Sequence, residues 1–178
     1  ETGGRYEITG EWRRDTHYLS LQIFESKINN GIDWTETDKW RPGNVEKTRI
    51  VGSELSWQNQ WSAFLTSGIK YSWINKKAWE DTTASYSKDQ SYYGKNRINS
   101  NLAFCRDAWL VNLDWTYIMN RNNNMPDYDI VNVTVKYQVN SKLNYNLTMS
   151  NITDEAYEIH RGYPMPGREF YLSANYTF

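Results

Sequence analysis

The chain has 178 residues, and its 20 basic and 21 acidic side chains leave a formal charge of −1, with no cationic excess to hold nucleic acid. Hydrophobic residues make up 39% and mean hydropathy is −0.83, yet 9 Trp and 14 Tyr raise the aromatic share to 16%. So many aromatics exclude a disordered chain, the thin supply of Leu, Ile and Val argues against an ordinary soluble core, and no stretch approaches the ~18 apolar residues of a transmembrane helix. A polar chain rich in Trp and Tyr suits a membrane barrel, whose strands face a wet lumen on one side while amphipathic rings sit at both membrane boundaries.

Taken in order, the chain alternates with a period of two. Tyr6, Ile8 and Trp12 alternate with Glu7, Thr9 and Glu11. Leu19, Leu21 and Ile23 alternate with Ser20 and Gln22, and Val51 and Leu55 with Glu54 and Ser56. Ala63, Leu65, Ile69 and Tyr71 oppose Ser62, Thr66, Lys70 and Ser72, and Leu102 and Phe104 oppose Asn101 and Ala103. The pattern sharpens downstream. Trp109, Val111, Leu113, Trp115 and Tyr117 oppose Asn112, Asp114 and Thr116, and Val131, Val133, Val135, Tyr137 and Val139 oppose Asn132, Thr134, Lys136 and Gln138. Leu143, Tyr145, Leu147 and Met149 oppose Asn144, Asn146, Thr148 and Ser150. The last strand sets Phe170, Leu172, Ala174, Tyr176 and Phe178 against Glu169, Tyr171, Ser173, Asn175 and Thr177.

About nine strands of roughly ten residues result, the length a tilted strand needs to cross a membrane. Short turns are expected near Asp15-Thr16, Asn59-Gln60, Arg106-Asp107 and Asn140-Ser141, and long polar loops near 25–45, 75–96, 120–128 and 152–166. Short periplasmic turns opposite long external loops are the asymmetry of outer-membrane barrels. The expected fold is therefore all-β, an antiparallel up-and-down transmembrane β-barrel. A soluble β-sandwich would explain the alternation but not the strict short–long order. An open edge in lipid would leave backbone groups unpaired, and single-chain bacterial barrels have even strand counts. The remaining strands are expected from upstream sequence or another chain. Glu1 in place of Met, with no signal peptide after it, fits a fragment or processed piece.

The stretch Asn151-Ile152-Thr153-Asp154-Glu155-Ala156-Tyr157, then Gly162-Tyr163-Pro164-Met165-Pro166-Gly167-Arg168 and a strand ending in Phe178, resembles the C-terminus of TonB-dependent receptors, nearest the cobalamin and siderophore branch. Gly52-Ser53-Glu54-Leu55 adds a weaker likeness upstream, and with the hairpin spacing the resemblance covers essentially the whole chain. It implies a barrel of about 22 strands plugged by an N-terminal domain, of which this chain would supply the last nine or so. It also implies TonB-energised uptake of a scarce nutrient such as a ferric siderophore, haem or cobalamin, with TonB acting through a plug this chain does not contain. A passive porin-like channel or a non-functional barrel fragment is the alternative. The implied partners are outer-membrane lipid and lipopolysaccharide, the barrel-assembly machinery, TonB and the nutrient ligand, with no nucleic acid. The alternating end, Phe170, Leu172, Tyr176 and Phe178, resembles the signal that the assembly machinery recognises.

Tyr163, Pro164, Met165, Pro166, Gly167 and Arg168 have a structural account, since two prolines fix φ and a glycine permits an unusual turn into the last strand. Arg168 suits a lumenal or plug carboxylate as well as a solvated strand start. Trp34, Trp40, Trp79, Tyr92, Tyr93, Tyr157, His160 and Tyr163 are the candidate ligand-binding residues of the external loops; stacking surfaces suit corrinoids, porphyrins and catecholates, although barrel aromatics are more often interfacial girdle. Trp109, Trp115, Tyr117 and Tyr176 fall on lipid-facing positions. The loop cations Lys39, Arg41, Lys76, Lys77, Lys88 and Lys95 are largely balanced by Glu36, Asp38, Glu80, Asp81 and Asp89, the pattern of a solvated loop. His17 and His160 fall at opposite ends of the barrel and the single Cys105 at a strand end, so no metal cluster, catalytic constellation or cofactor is expected.

Overall fold

In the computed structural model, residues 2–35, 41–80, 85–88 and 94–178 are described, with side chains for 2–29, 47–79 and 94–178. Among the described residues twelve strands run in chain order: β1 (Thr2–Arg14), β2 (His17–Thr35), β3 (Arg41–Ser62), β4 (Leu65–Glu80), β5 (Ser85–Lys88), β6 (Gly94–Arg106), β7 (Trp109–Arg121), β8 (Tyr128–Gln138), β9 (Leu143–Ser150), β10 (Glu158–His160), β11 (Tyr163–Pro164) and β12 (Glu169–Tyr176). Nine of them form an antiparallel path β1-β2-β3-β4-β6-β7-β8-β9-β12, β5 adds to β4, and β10-β11 is a separate small hairpin. The expected all-β, up-and-down architecture with about nine crossing strands is what the chain adopts, as an open sheet whose end strands are β1 and β12.

Two turns reflect local chemistry that the sequence displays. Asp15 and Asp107 open the β1–β2 and β6–β7 turns with φ of 52° and 53°, a left-handed conformation that Asp tolerates better than most residues. The second expected turn is displaced. The chain reverses at Ala63–Phe64 and not at Asn59-Gln60. No Gly, Asn or Asp marks that reversal; a bulge between Gln60 and Ser62 and a bond from the Phe64 amide to Ser62 Oγ (3.3 Å) shape it. Asn59 is instead buried in strand, accepting a hydrogen bond from Thr16 Oγ1 at 2.8 Å.

The long loops are also shorter than expected. Positions 25–35 and 41–45 lie in the paired strands β2 and β3, 75–80 in β4, 85–88 in β5 and 94–96 in β6. Val139 falls just past β8. The loop at 120–128 contracts to 122–127, and the one at 152–166 contains β10 and β11.

Cross-strand partners share a face, so the register sorts every side chain. One face carries Ile8, Leu21, Ile23, Leu55, Ile69, Leu102, Leu113, Val133, Leu147 and Leu172. Aromatic residues border it at both ends: Trp12, Trp57, Trp109, Tyr137 and Tyr176 near the short turns, and Tyr6, Trp73, Trp115, Tyr117 and Phe170 towards the long loops. Trp109 and Tyr117 stand eight residues apart, ~26 Å along the strand at ~3.3 Å per residue, which a tilt of about 35–45° turns into ~20 Å of height, within an apolar band ~25 Å tall. The anchors keep polar partners, as when Trp115 Nε1 donates to Asp129 at 2.9 Å. The four lipid-facing positions expected at Trp109, Trp115, Tyr117 and Tyr176 all fall on this face.

A core in the usual sense is nearly absent. Among the described residues only Phe24 and Met125 are buried hydrophobics, while Ile8 and Leu172 are 79% and 77% exposed. Apolar side chains turned outward across a whole sheet would be unfavourable in water by roughly 25 cal/mol per Å². They fit a sheet whose outer solvent is hydrocarbon.

Candidate functional site: the inner wall and the long-loop rim

The opposite face of the sheet is polar and cross-linked. On β1 and β2, Glu7 accepts from Arg5 at 2.8 Å and Gln22 at 3.3 Å, while Glu11 accepts from Tyr18 at 2.9 Å and Arg13 at 3.3 Å. On β3 and β4, Glu54 accepts from Ser72 at 3.3 Å and pairs with Lys70 at 2.8 Å. Asn99 accepts from Arg97 and Thr116, each at 3.1 Å, and Asn144 accepts from Asn146 and Asn175 at 3.2 and 3.1 Å. Apart from the buried Ser72, these side chains sit at intermediate or full exposure. Their surface pairs carry little stability each, but together they make a wall that a hydrated or polar body can contact.

Glycines shape this wall. A Cβ on Gly52 would lie 2.5 Å from Phe24 Cζ and 2.8 Å from the Trp73 carbonyl oxygen, so glycine lets the Phe24 ring lie flat across β3. The Arg5 guanidinium covers that ring at 4.3 Å, which keeps an aromatic on a polar wall at only 8% exposure. At Gly68 the missing side chain admits Asn101 Oδ1, 2.6 Å from where a Cβ would stand. Gly68 also floors a recess of about 270 Å³ whose lining includes Gln58, Lys70, Asn99, Asp114 and Thr116.

At the long-loop end the chain builds a tight rim. Asn151, 3% exposed, has φ of 49°. Its Nδ2 donates to the Glu155 carbonyl at 2.9 Å and its Oδ1 accepts from the Glu155 amide at 2.9 Å, while its own amide donates to Asn132 Oδ1 at 3.0 Å. Three residues on, Asp154 Oδ1 accepts from the Arg168 amide at 2.8 Å and lies 2.6 Å from where a Cβ on Gly167 would be. Glycine at 167 is therefore what lets the carboxylate reach that amide. The two short acidic and amide side chains tie both ends of the 151–168 loop together, and the Met165 amide closes on the Tyr157 carbonyl at 2.9 Å.

A second tie joins this loop to its neighbour. Arg121, 8% exposed, donates through Nη1 to the Pro126 carbonyl at 3.0 Å and through Nη2 to the Ile159 carbonyl at 2.8 Å. Its guanidinium lies 5.0 Å over the Tyr128 ring, which in turn packs on Tyr157 at 4.6 Å. Arg161 reaches the Asn123 carbonyl at 2.6 Å. Burial, first of all, and then the negative charge available at Tyr128 and Glu169, hold the Tyr157 phenol above the ordinary tyrosine range.

The expected ligand residues are distributed unevenly over this geometry. Tyr157 belongs to the rim cluster. His160 and the 72%-exposed Tyr163 pair across the β10–β11 hairpin beside it. Trp79 stands elsewhere, at the end of β4, with Lys47 Nζ 4.8 Å from its ring. Trp34 is placed in β2 by its backbone only, and Trp40, Tyr92 and Tyr93 lie outside the described residues. Of the terminal residues, Phe170, Leu172 and Tyr176 are exposed on the outer face of β12, and Phe178 lies beyond the strand end with its ring edge-on to Tyr176 at 5.2 Å. Arg121 and Tyr128 escaped the sequence reading. Their signal was the run Asn122-Asn123-Asn124, because Asn is the residue that readily turns left-handed, as Asn120, Asn123 and Asn124 do here.

Residues 1–152 match the family described as "TonB dependent receptor-like, beta-barrel". The chain belongs to that family. Its sheet is accordingly a portion of a TonB-dependent receptor barrel, and the protein is an outer-membrane protein of the Gram-negative type. Among curated proteins it is similar to the vitamin B12 transporter BtuB of Vibrio cholerae, 24% identical over 169 residues that make up 89% of this chain and 27% of that protein. BtuB of Photobacterium profundum is 22% identical over 193 aligned residues, covering 100% of this chain and 30% of that protein. Among solved structures, the FrpB iron transporter of Neisseria meningitidis superposes with a TM-score of 0.76 at 15% identity, over 99% of this chain and 31% of that one. The copper transporter OprC does so with 0.73 at 12%, again over 99% and 31%. The chain thus spans less than a third of each of these relatives, and at such identities the structures show the fold alone.

Proposed function

We propose that this chain forms the C-terminal wall of a receptor that takes up a scarce nutrient, a ferric siderophore, haem or cobalamin, across the outer membrane at the expense of TonB-transmitted energy. The observation that carries it is the division of one sheet into an apolar outer face with two aromatic borders and a hydrogen-bonded polar inner face, in a chain of the TonB-dependent receptor family. A polar inner wall gives a plug a surface to bind and release without stripping apolar area into water. The rim residues Tyr157, His160 and Tyr163, with Trp34, Trp40, Trp79, Tyr92 and Tyr93, are the candidate ligand contacts, and Arg168 a candidate contact for the plug. The terminal residues Phe170, Leu172, Tyr176 and Phe178 serve as the assembly signal.

The test is uptake by cells that depend on the complete receptor. Radiolabelled cobalamin, haem and a panel of ferric siderophores are offered with and without a protonophore and with and without TonB. One cargo entering only with TonB and an intact proton gradient is the expected result. Entry that ignores both would replace this reading with a passive channel, and no receptor-dependent entry of any cargo would end it.

A further inference from the structure

The inner face is not uniform around the sheet. On β1 it carries Arg5, Glu7, Glu11 and Arg13, and β3 and β4 add Glu54 and Lys70. At the other end of the sheet the register sets Thr148, Asn146 and Asn144 of β9 opposite Tyr171, Ser173 and Asn175 of β12. None of these six is charged. Lys136 on β8, opposite Asn146, bounds the neutral strip on one side, and Glu169, opposite Ser150, stands above it at the rim. The strip begins directly under the loop that carries Tyr157, because Asn151 follows the last residue of β9 and Arg168 precedes the first residue of β12.

The two halves of the wall differ in what they can hold. Hydrogen bonds to ionised groups are roughly twice as strong as neutral ones, so a body filling the lumen is gripped more firmly by β1 to β4 than by β9 and β12. Fixed charges also trap an oppositely charged cargo and repel a like-charged one, whereas Asn amides and Ser or Thr hydroxyls offer both donors and acceptors and suit either. We propose that the inner wall of β9 and β12 is the passage side of the barrel: cargo released beneath the rim moves down between these two strands and the plug, which stays held against the charged side. Tyr171, 56% exposed on this wall, gives the passage a stacking surface part-way down. The inference rests on the uptake reading above and adds to it the side on which the barrel opens.

The experiment uses the complete receptor in living cells, with Cys105→Ser as background because Cys105 is an exposed free thiol. Single cysteines are placed on the neutral side, Asn146→Cys or Ser173→Cys, and on the charged side, Ser20→Cys beside Glu11 or Ser56→Cys beside Lys70. They are labelled with a membrane-impermeant biotin maleimide while uptake of radiolabelled cobalamin, haem and ferric siderophores is followed in the same cells. With TonB and a proton gradient, labelling on the neutral side is expected to rise about fivefold over protonophore-treated cells, the change that giving up one neutral hydrogen bond makes to an exposure equilibrium. Labelling on the charged side is expected to stay level. Heat-modifiable gel migration verifies each fold, and one folded variant on each side suffices. Energised uptake with neutral-side labelling unchanged, or with charged-side labelling raised as much or more, would overturn this inference alone. Uptake that ignores TonB and the gradient, or no receptor-dependent uptake, would overturn the receptor reading and this inference with it.

Discussion

Replacing Asn151 by Ala isolates what holds the rim. The side chain contributes two 2.9 Å bonds to Glu155, one as donor and one as acceptor, worth about 1 kcal/mol each, with a further penalty if either Glu155 group stays buried and unpaired. The backbone at φ 49° adds about 1 kcal/mol of strain for Ala, which Asn tolerates. The sum is about 3–4 kcal/mol of loop docking, or roughly a hundred- to thousandfold in the opening equilibrium at 1.4 kcal/mol per tenfold. Hydrogen exchange of residues 152–168 in the membrane-inserted receptor reads this directly. Asn151→Gly should recover the strain portion, about fivefold. Asn151→Asp should resemble Ala, because its second oxygen would face the Glu155 and Pro166 carbonyls where Nδ2 now donates. Unchanged protection in Asn151→Ala would refute the tie, and equal exchange in Ala and Gly would refute the conformational part.

Four other outcomes follow from the same structure. Gly52→Ala should destabilise the barrel by about 1–3 kcal/mol, seen as a lower urea midpoint; Phe24→Ala in addition should restore part of it, since the ring is the movable half of the clash. Arg121→Ala should cost about 2–4 kcal/mol locally by leaving the Pro126 and Ile159 carbonyls without their donor, raising exchange in both loops at once. The Tyr157 phenol titrates above its unfolded value of about 10, so its share of rim stability is intact below that pH and is lost as pH rises through the elevated pKa; Tyr157→Phe should flatten loop exchange across that alkaline range. Phe178→Ser should lower the amount of receptor folded into the outer membrane, measured by heat-modifiable migration, and unchanged assembly would remove Phe178 from the signal.

How legible the fold was varied along the chain for physical reasons. β7, β8, β9 and β12 each meet lipid on one side and water on the other, so Trp109 to Tyr117 or Phe170 to Tyr176 alternate cleanly. Above the band both faces are wet. There Glu25, Lys27 and Asn29 point one way and Ser26 and Ile28 the other, and a period-two search finds no contrast although the pairing continues to Thr35 and Arg41. The β3–β4 turn at Ala63–Phe64 lacks the residues that mark turns, and the nearest polar pair drew the reading to Asn59-Gln60. The rim was half visible: Asn151 and Asp154 stood in the stretch that resembled the receptor family, but their role as loop ties needed a partner 4 residues away for one and 14 for the other. Nothing in the spacing links Arg121 to Ile159, 38 residues on.

The β2–β3 hairpin has a consequence for reach. Beyond Ile23, the last apolar residue of β2 on the lipid face, the strand runs twelve residues further to Thr35 alongside β3, ~40 Å of strand at ~3.3 Å per residue. A paired ribbon of that length carries its outer end well clear of the bilayer. Because neither face of the ribbon there touches hydrocarbon, its sequence is released from the demand for alternation. Substitutions towards its tip can change what the cell surface displays while the membrane-crossing part of the same two strands keeps its fit.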